Sequence, residues 1–310
     1  MMRLHFSLGL SGLLALGALT LDACSSSNNT PADGGVGGAT GAGGTTGAGG
    51  SGVKVTVSGT ASPHALAAGG LDTNAAANFN MMLVAVVDPV TVLANANAAP
   101  LAGGALDTSA TNCGTRGCAW SFDNVNIGGI TLGLVGIVDD ARTSNRLWVK
   151  TGTGAGSAAS IMAVIQNPMP ITNVPLFGVS KAMEAKLAAF AAGAIPDTTI
   201  VAGTLETRGF MLGTVVNKVS EGAMPVAGAK VTTNDSRVTI IYPSADFMSV
   251  GTSTAAHGTI LVVPKPASPL TSVVASWTVT PPTGDTHTWD NSTAGTSPGT
   301  AFVLLFPAKE

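Results

Sequence analysis

The chain is short of charge. Only 10% of its 310 residues are Asp, Glu, Lys or Arg, against roughly 25% in ordinary soluble proteins. The formal net charge is −3, and Lys and Arg do not cluster anywhere. A nucleic-acid partner needs a basic footprint to neutralise phosphates, so nucleic acid is not an expected partner. Aromatic residues are also scarce, at 5% with a single tyrosine. A long apolar run is missing too. Phe6 to Leu21 is broken only by Ser, Gly and Thr, but it is shorter than the roughly 20 residues that a bilayer-spanning helix needs. What remains is rich in Gly, Ala, Thr, Ser and Val, a mix that favours β-strands joined by small-residue turns. The length suggests about two domains.

The amino terminus has the features of an export signal: Arg3, then the apolar stretch, then small residues and a cysteine. Leu21-Asp22-Ala23-Cys24 resembles the lipobox of bacterial lipoproteins, with an aliphatic residue three before the cysteine and a small one just before it. That resemblance implies a diacylglyceryl group on the Cys24 thiol and cleavage before Cys24. Asp22 departs from the pattern, because that position is normally small and uncharged. The competing reading is an ordinary signal peptide cut near Ala23. Ser25 to Gly52 is nearly all Ser, Asn, Thr, Gly and Ala. Such a segment buries too little apolar surface to offset its ordering entropy, so it reads as a flexible tether of about 28 residues, with a root-mean-square reach of roughly 30 Å.

The chain has three cysteines. With Cys24 lipidated, Cys113 and Cys118 remain, in Cys-Gly-Thr-Arg-Gly-Cys. Glycines at both ends of the intervening residues let a tight loop close, and an oxidising compartment favours a structural disulfide. A metal clip or a redox pair is the alternative. The first needs more ligands than His64, His257 and His287 supply at their spacing, and the second is more often spaced Cys-x-x-Cys.

From Val53 onward, short β-type runs alternate with turns: Val53–Ser58, Met81–Val87, Trp120–Asp123, Ile130–Val135 and Leu147–Lys150 in the first half. Gly128-Gly129 suggests a hairpin. One helix stands out over Lys181–Ala192, with Ser180 as N-cap, a Met183, Leu187, Phe190 stripe, and Gly193 and Pro196 as stop. Around it, 151–178 reads as a connector with a short helix near Ile161–Ile165. Gly152-Thr-Gly-Ala-Gly156 lacks the context of a dinucleotide loop. Strand signals return at Phe210–Val216, Ala229–Thr232, Val238–Tyr242, Thr259–Val263, Val273–Val279 and Ala301–Phe306.

Over residues 207–265, Gly213-Thr-Val-Val, Pro225-Val-Ala-Gly-Ala-Lys-Val231, Thr252–Thr254 and Gly258-Thr-Ile-Leu-Val-Val263 resemble the carboxypeptidase regulatory-like module. That resemblance implies a transthyretin-like β-sandwich that is accessory to other functions and not itself catalytic. In it, Pro225 opens a turn, Gly228 takes a positive φ and Val231 points into the core. Thr259-Ile260 departs from the usual aromatic. Pro100–Leu106 and Gly129-Ile-Thr-Leu form a fainter parallel, so the first half is a candidate copy.

Chemistry is harder to find. Serine and threonine are abundant, but none reads as a nucleophile with its base and orienter. Asp139-Asp140 would face opposite ways along a strand; a solvated turn is the expected setting, with a Ca²⁺ site as the alternative. Asp123-Asn-Val-Asn126 lacks the distal glutamate of a calcium loop. Asp285, His287, Trp289 and Asp290 form the densest polar and aromatic cluster, expected at a hairpin tip.

The expectation is therefore a mainly β protein with two Ig/transthyretin-like β-sandwiches. Its parts are a signal peptide (1–23), lipidated Cys24 with its tether (24–52), a first sandwich (53–150), a connector with the helix at 181–192 (151–204) and a second sandwich (205–310). It would be a non-catalytic outer-membrane lipoprotein, on the periplasmic face or the cell surface, without cofactor or metal. It would be held to the membrane by lipid, with an unidentified envelope protein or polysaccharide as partner. The alternative is a carbohydrate-binding protein or a hydrolase using an exposed groove with Trp277 or Trp289.

Overall fold

The computed structural model describes residues 52–90, 99–114, 117–218, 223–267 and 270–309. Cys24, the signal sequence and nearly all of the tether lie outside the described residues. Among the described residues, the strands form three sheets. The largest has nine, in spatial order β13 (Val250–Gly251), β12 (Val238–Pro243), β14 (Thr259–Pro264), β10 (Phe210–Val216), β17 (Ala301–Pro307), β8 (Thr151–Ser157), β6 (Gly133–Asp140), β2 (Met82–Val87) and β3 (Ala102–Ala105). A five-stranded sheet runs β4 (Cys113–Gly114), β5 (Gly117–Asn126), β1 (Lys54–Pro63), β9 (Ile171–Ser180), β7 (Trp148–Val149). A three-stranded sheet runs β11 (Lys230–Thr233), β15 (Val273–Thr280), β16 (Ser292–Thr296).

Side chains alternate across a strand, and the large sheet is apolar on both faces. On β10, Phe210 and Leu212 join one core while Met211 and Val215 join the other; on β17, Val303 and Leu304 divide in the same way. The first core is closed by the five-stranded sheet and the helices, through Val57, Trp148, Leu176, Met183 and Leu187. The second is closed by the three-stranded sheet, through Val231, Trp277 and Val279. The protein is mainly β, and it contains two sheet-on-sheet packings on opposite faces of one shared sheet.

The join between the two packings differs from expectation. The segment 151–178 is not a connector. β8 lies inside the large sheet, antiparallel to β6 and parallel to β17, and all seven of its residues are buried. Its Thr-Gly-Thr-Gly-Ala-Gly-Ser sequence has no branched aliphatic side chain, so it carries no strand signal. Instead the Thr151 and Thr153 hydroxyls accept the backbone N–H groups of Val179 and Phe177 at 3.2 and 3.3 Å, tying β8 to β9 across the layers. Nor does Gly128-Gly129 turn a hairpin, because β5 and β6 belong to different sheets and this segment crosses between them.

Among the described residues, besides a π-helical segment (Ala67–Leu71) and a single turn at α1 (Ala75–Asn78), there are helices α2 (Ala158–Gln166), α3 (Lys181–Ala194) and α4 (Thr204–Arg208). Ser180 caps α3 as expected, its Oγ accepting from the Met183 N–H at 3.1 Å and donating to Asp72 at 2.6 Å. The buried face of α3 is broader than the stripe, and Glu184, Ala188 and Ala191 share it with Met183 and Leu187.

The Pro225–Val231 segment behaves as its residues suggest. Gly228 has φ +80° and Val231 is buried. Thr254 fastens the turn, its hydroxyl donating to Val226 O at 2.7 Å and accepting from Ala229 N at 3.0 Å. Its proposed counterpart in the first half sits elsewhere. β3 pairs with β2 at the edge of the large sheet, whereas β11 pairs with β15 in the small one.

Candidate functional site

Cys113 and Cys118 face each other across β4 and β5 and form a disulfide, with S–S 2.01 Å. Cys24 lies outside the described residues.

The acidic pair Asp139-Asp140 is not in a solvated turn. Both residues are buried at the end of β6. Asp140 accepts from the Arg142 N–H at 3.0 Å and its guanidinium at 2.9 Å, from Leu147 N at 2.6 Å and from Trp148 N at 3.2 Å. Asp139 pairs with Arg146. These carboxylates pin the loop between β6 and β7, which occupies their lone pairs with structural work. Asp123 is a bonded surface residue on β5, accepting from the Thr56 hydroxyl at 2.8 Å. Among the described residues no group of three or more His, Cys, Asp or Glu side chains could hold a metal ion.

The 285–290 cluster lies in the exposed loop that closes the β15–β16 hairpin, as expected, with the two strands paired antiparallel from Val273–Thr296 to Trp277–Ser292. Asp285 meets His287 at 2.5 Å, and Asp290 meets Lys309 at 2.6 Å. The His287 N–H and ring hold the Asp285 carboxyl below its ordinary range. Trp289 is half-buried and donates from Nε1 to Phe306 O at 3.0 Å and Val216 O at 3.3 Å. Trp277 is buried, its Nε1 donating to Ala294 O at 3.0 Å. The two indoles are therefore spent on packing, and no aromatic platform of the kind that stacks on sugars is formed by them.

Several polar residues carry no sequence signal for the roles they play. Glu184, on the buried face of α3, accepts from the N–H groups of Gly203, Leu205 and Glu206 at 2.8, 3.0 and 3.4 Å. It thereby satisfies the orphan donors at the start of α4 from a different helix. Burial pushes its pKa up against the pull of those three donors. Arg208 ends the same short helix, bonding Asp197 at 2.5 Å and Thr199. That guanidinium, helped by Thr199, holds Asp197 down to about 2. Burial lowers Lys150 to about 7, with Arg146 adding to the effect. Burial, reinforced by His257, lowers His64 to about 4.

One serine motif escapes a first reading of the sequence. Gly295-Thr-Ser-Pro-Gly299 has the spacing of a nucleophile elbow. Its Ser297 instead sits in the turn between β16 and β17, where no helix follows. It is buried, and its hydroxyl pairs with that of Ser272 at 3.0 Å. The geometry is that of a packed turn. An open polar groove of about 480 Å³ lies between the β11–β12 turn and the outer side of β15 and β16, lined by residues that include Asn234, Asp235, Arg237, Ser276 and Thr293. Asp235 and Arg237 neutralise each other there at 2.6 Å.

No family model and no curated protein matches the chain. Among solved structures, the shaft pilin SpaA of Lactobacillus rhamnosus GG is 11% identical over 83% of this chain and 98% of its own, with a TM-score of 0.20. A double mutant of the same pilin is 10% identical over 84% and 98%, also at 0.20. Likeness at this level carries no argument about function.

Proposed function

We propose that this chain is a non-catalytic lipoprotein of the bacterial envelope, a β-sandwich body held near a membrane by lipid on Cys24. The observation that carries this reading is the order of parts at the amino terminus. An apolar stretch too short to span a bilayer leads to Leu21-Asp22-Ala23-Cys24, then to a glycine-rich tether, and the first strand begins at Lys54. No helix among the described residues is long and apolar enough to cross a membrane. An acylated cysteine contributes about 0.8 kcal/mol per buried CH₂. The buried ionisable groups support the non-catalytic part, because Asp139, Asp140, Glu184 and Arg208 each hold a loop or a helix end in place.

Detergent phase partitioning tests the anchor. The mature protein is expected in the detergent phase and Cys24→Ala in the aqueous phase, with incorporation of a palmitate analogue following the same pattern. An unlabelled wild-type protein would refute the reading.

A further inference from the structure

Two histidines lie where the turn between β12 and β13 folds over the first core. His64 follows β1 and is buried, and its ring meets Phe177 of β9 edge-on at 5.8 Å. His257, just before β14, is close enough for its charge to act on His64. The His257 ring stacks on Phe247 at 5.2 Å, and Phe247 meets Phe190 of α3 at 5.8 Å. Phe247 is thereby packed against the first core, although it belongs to a turn of the large sheet.

Both imidazoles are built in as neutral rings. The Leu66 N–H points at His64 Nδ1 at 3.2 Å, and the Thr259 N–H at His257 Nδ1 at 3.0 Å. Each Nδ1 therefore carries the lone pair, and His257 Nε2 donates to Ser244 O at 3.3 Å. A second proton on either ring sets N–H against N–H. Burial lowers both pKa values, and His257 adds to the effect on His64. The charged groups around them are committed elsewhere. β9 and β14 have no ionisable side chain. On α3, Glu184 caps α4, Lys181 pairs with Glu206, and Lys186 donates to Gly70 O at 3.0 Å. Asp72 accepts from Ser180. Asp246, in the turn itself, accepts from Ser244 Oγ at 2.7 Å and Met248 N at 3.0 Å, bonds that hold its carboxyl below the ordinary range.

The turn is closed on itself. Ser244 N donates to Ser249 O and Ser249 N to Ser244 Oγ, both at 2.9 Å, and Phe247 N donates to Ser244 O at 3.0 Å. Phe247 has φ +59°, a conformation that a bulky residue keeps only when its surroundings determine it. We propose that turn 244–249 is an acid-released latch, which lifts Phe247 from Phe190 when His64 and His257 take up protons. Protonation breaks the Thr259 bond to His257 and frees the ring on which Phe247 stacks. Release adds Phe247 and Phe190 to Met248, already 82% exposed, so that an apolar surface appears in acid. The fold behind it stays intact, because Thr254 still ties the following segment to Val226 and Ala229.

Fluorine NMR of the full-length chain labelled with 4-fluorophenylalanine tests the latch, with the Phe190 and Phe247 signals assigned through Phe190→Leu and Phe247→Leu. A released His64 titrates near 6.5 and the seated one at about 4, so the released fraction should rise about a hundredfold from pH 7 to pH 4. Both signals should then gain the solvent-isotope shift of exposed rings, while those of Phe210 and Phe306 do not. His64→Asn with His257→Asn keeps an acceptor at each Nδ1 position without a titrating ring, and should leave the latch closed at pH 4. If that pair does not fold, His257→Asn alone, at a half-buried position, should move release to lower pH. Buried shifts for Phe190 and Phe247 at pH 4, exposure of Phe210 and Phe306 along with them, or release of the variants at the native pH overturns the latch. None of these signals depends on lipid at Cys24.

Discussion

The two faces of the central sheet are built differently. On the face covered by the five-stranded sheet and the helices, burial includes His64, Asp72, Asp140, Glu184 and Arg208. From residue 210 onward, the polar residues buried among those described are hydroxyls alone: Thr254, Thr259, Ser292, Thr296, Ser297 and Thr300. One sandwich is organised by charge held out of water, the other by apolar packing trimmed with neutral hydrogen bonds. Buried charge costs little only while its partners stay in place, so the two faces should respond differently to substitution and to pH.

The largest contrast is expected at Asp140, whose side chain is fully buried. Asp140→Ala strips partners from Arg142, Leu147 and Trp148 together and should cost about 3–5 kcal/mol, read as a drop in the urea midpoint. Acid should widen the difference. The unfolded chain protonates His64 near 6.5, but burial holds the folded imidazole down to about 4. Stability present above pH 6.5 is therefore lost as pH falls towards 4, by an amount on the order of 3 kcal/mol. His64→Leu should flatten that slope in urea melts taken across this range. On the neutral face, Tyr242 joins the small sheet to the large one, its hydroxyl donating to Val231 O at 2.6 Å and accepting from Val231 N at 2.8 Å. Tyr242→Phe should cost about 1–3 kcal/mol with no acid slope of its own, and a pH-dependent loss there would break the contrast. The smallest effect is expected from the disulfide, because the Cys113–Cys118 loop closes so little chain. Its reduction should lower stability by about 2 kcal/mol or less in a thermal melt.

How much of this was legible follows the same divide. Strands β10, β12, β14 and β17 carry branched and aromatic residues at period 2 or in continuous runs, and the sequence placed them well. The Ser180 cap and the Gly228 turn were readable because each residue type has a specific backbone use. β8 was not readable, since it has no branched aliphatic residue and is held by threonine hydroxyls bonding across layers. Nor was Glu184. An acid on a helix ordinarily signals solvent, and only the approach of α4 turns it into a cap. The Asp139-Asp140 pair failed for a related reason. Its partners Arg142 and Arg146 lie within seven residues, yet nothing in the sequence says that the loop between them folds inward.

The lipid on Cys24 is the claim on which address and function both depend, and the intact mass of the mature protein tests it most directly. The account predicts a chain that begins at Cys24 and carries the added mass of a diacylglyceryl group, with its Cys113–Cys118 peptide oxidised. A mature chain beginning elsewhere, or one with an unmodified Cys24, would contradict it.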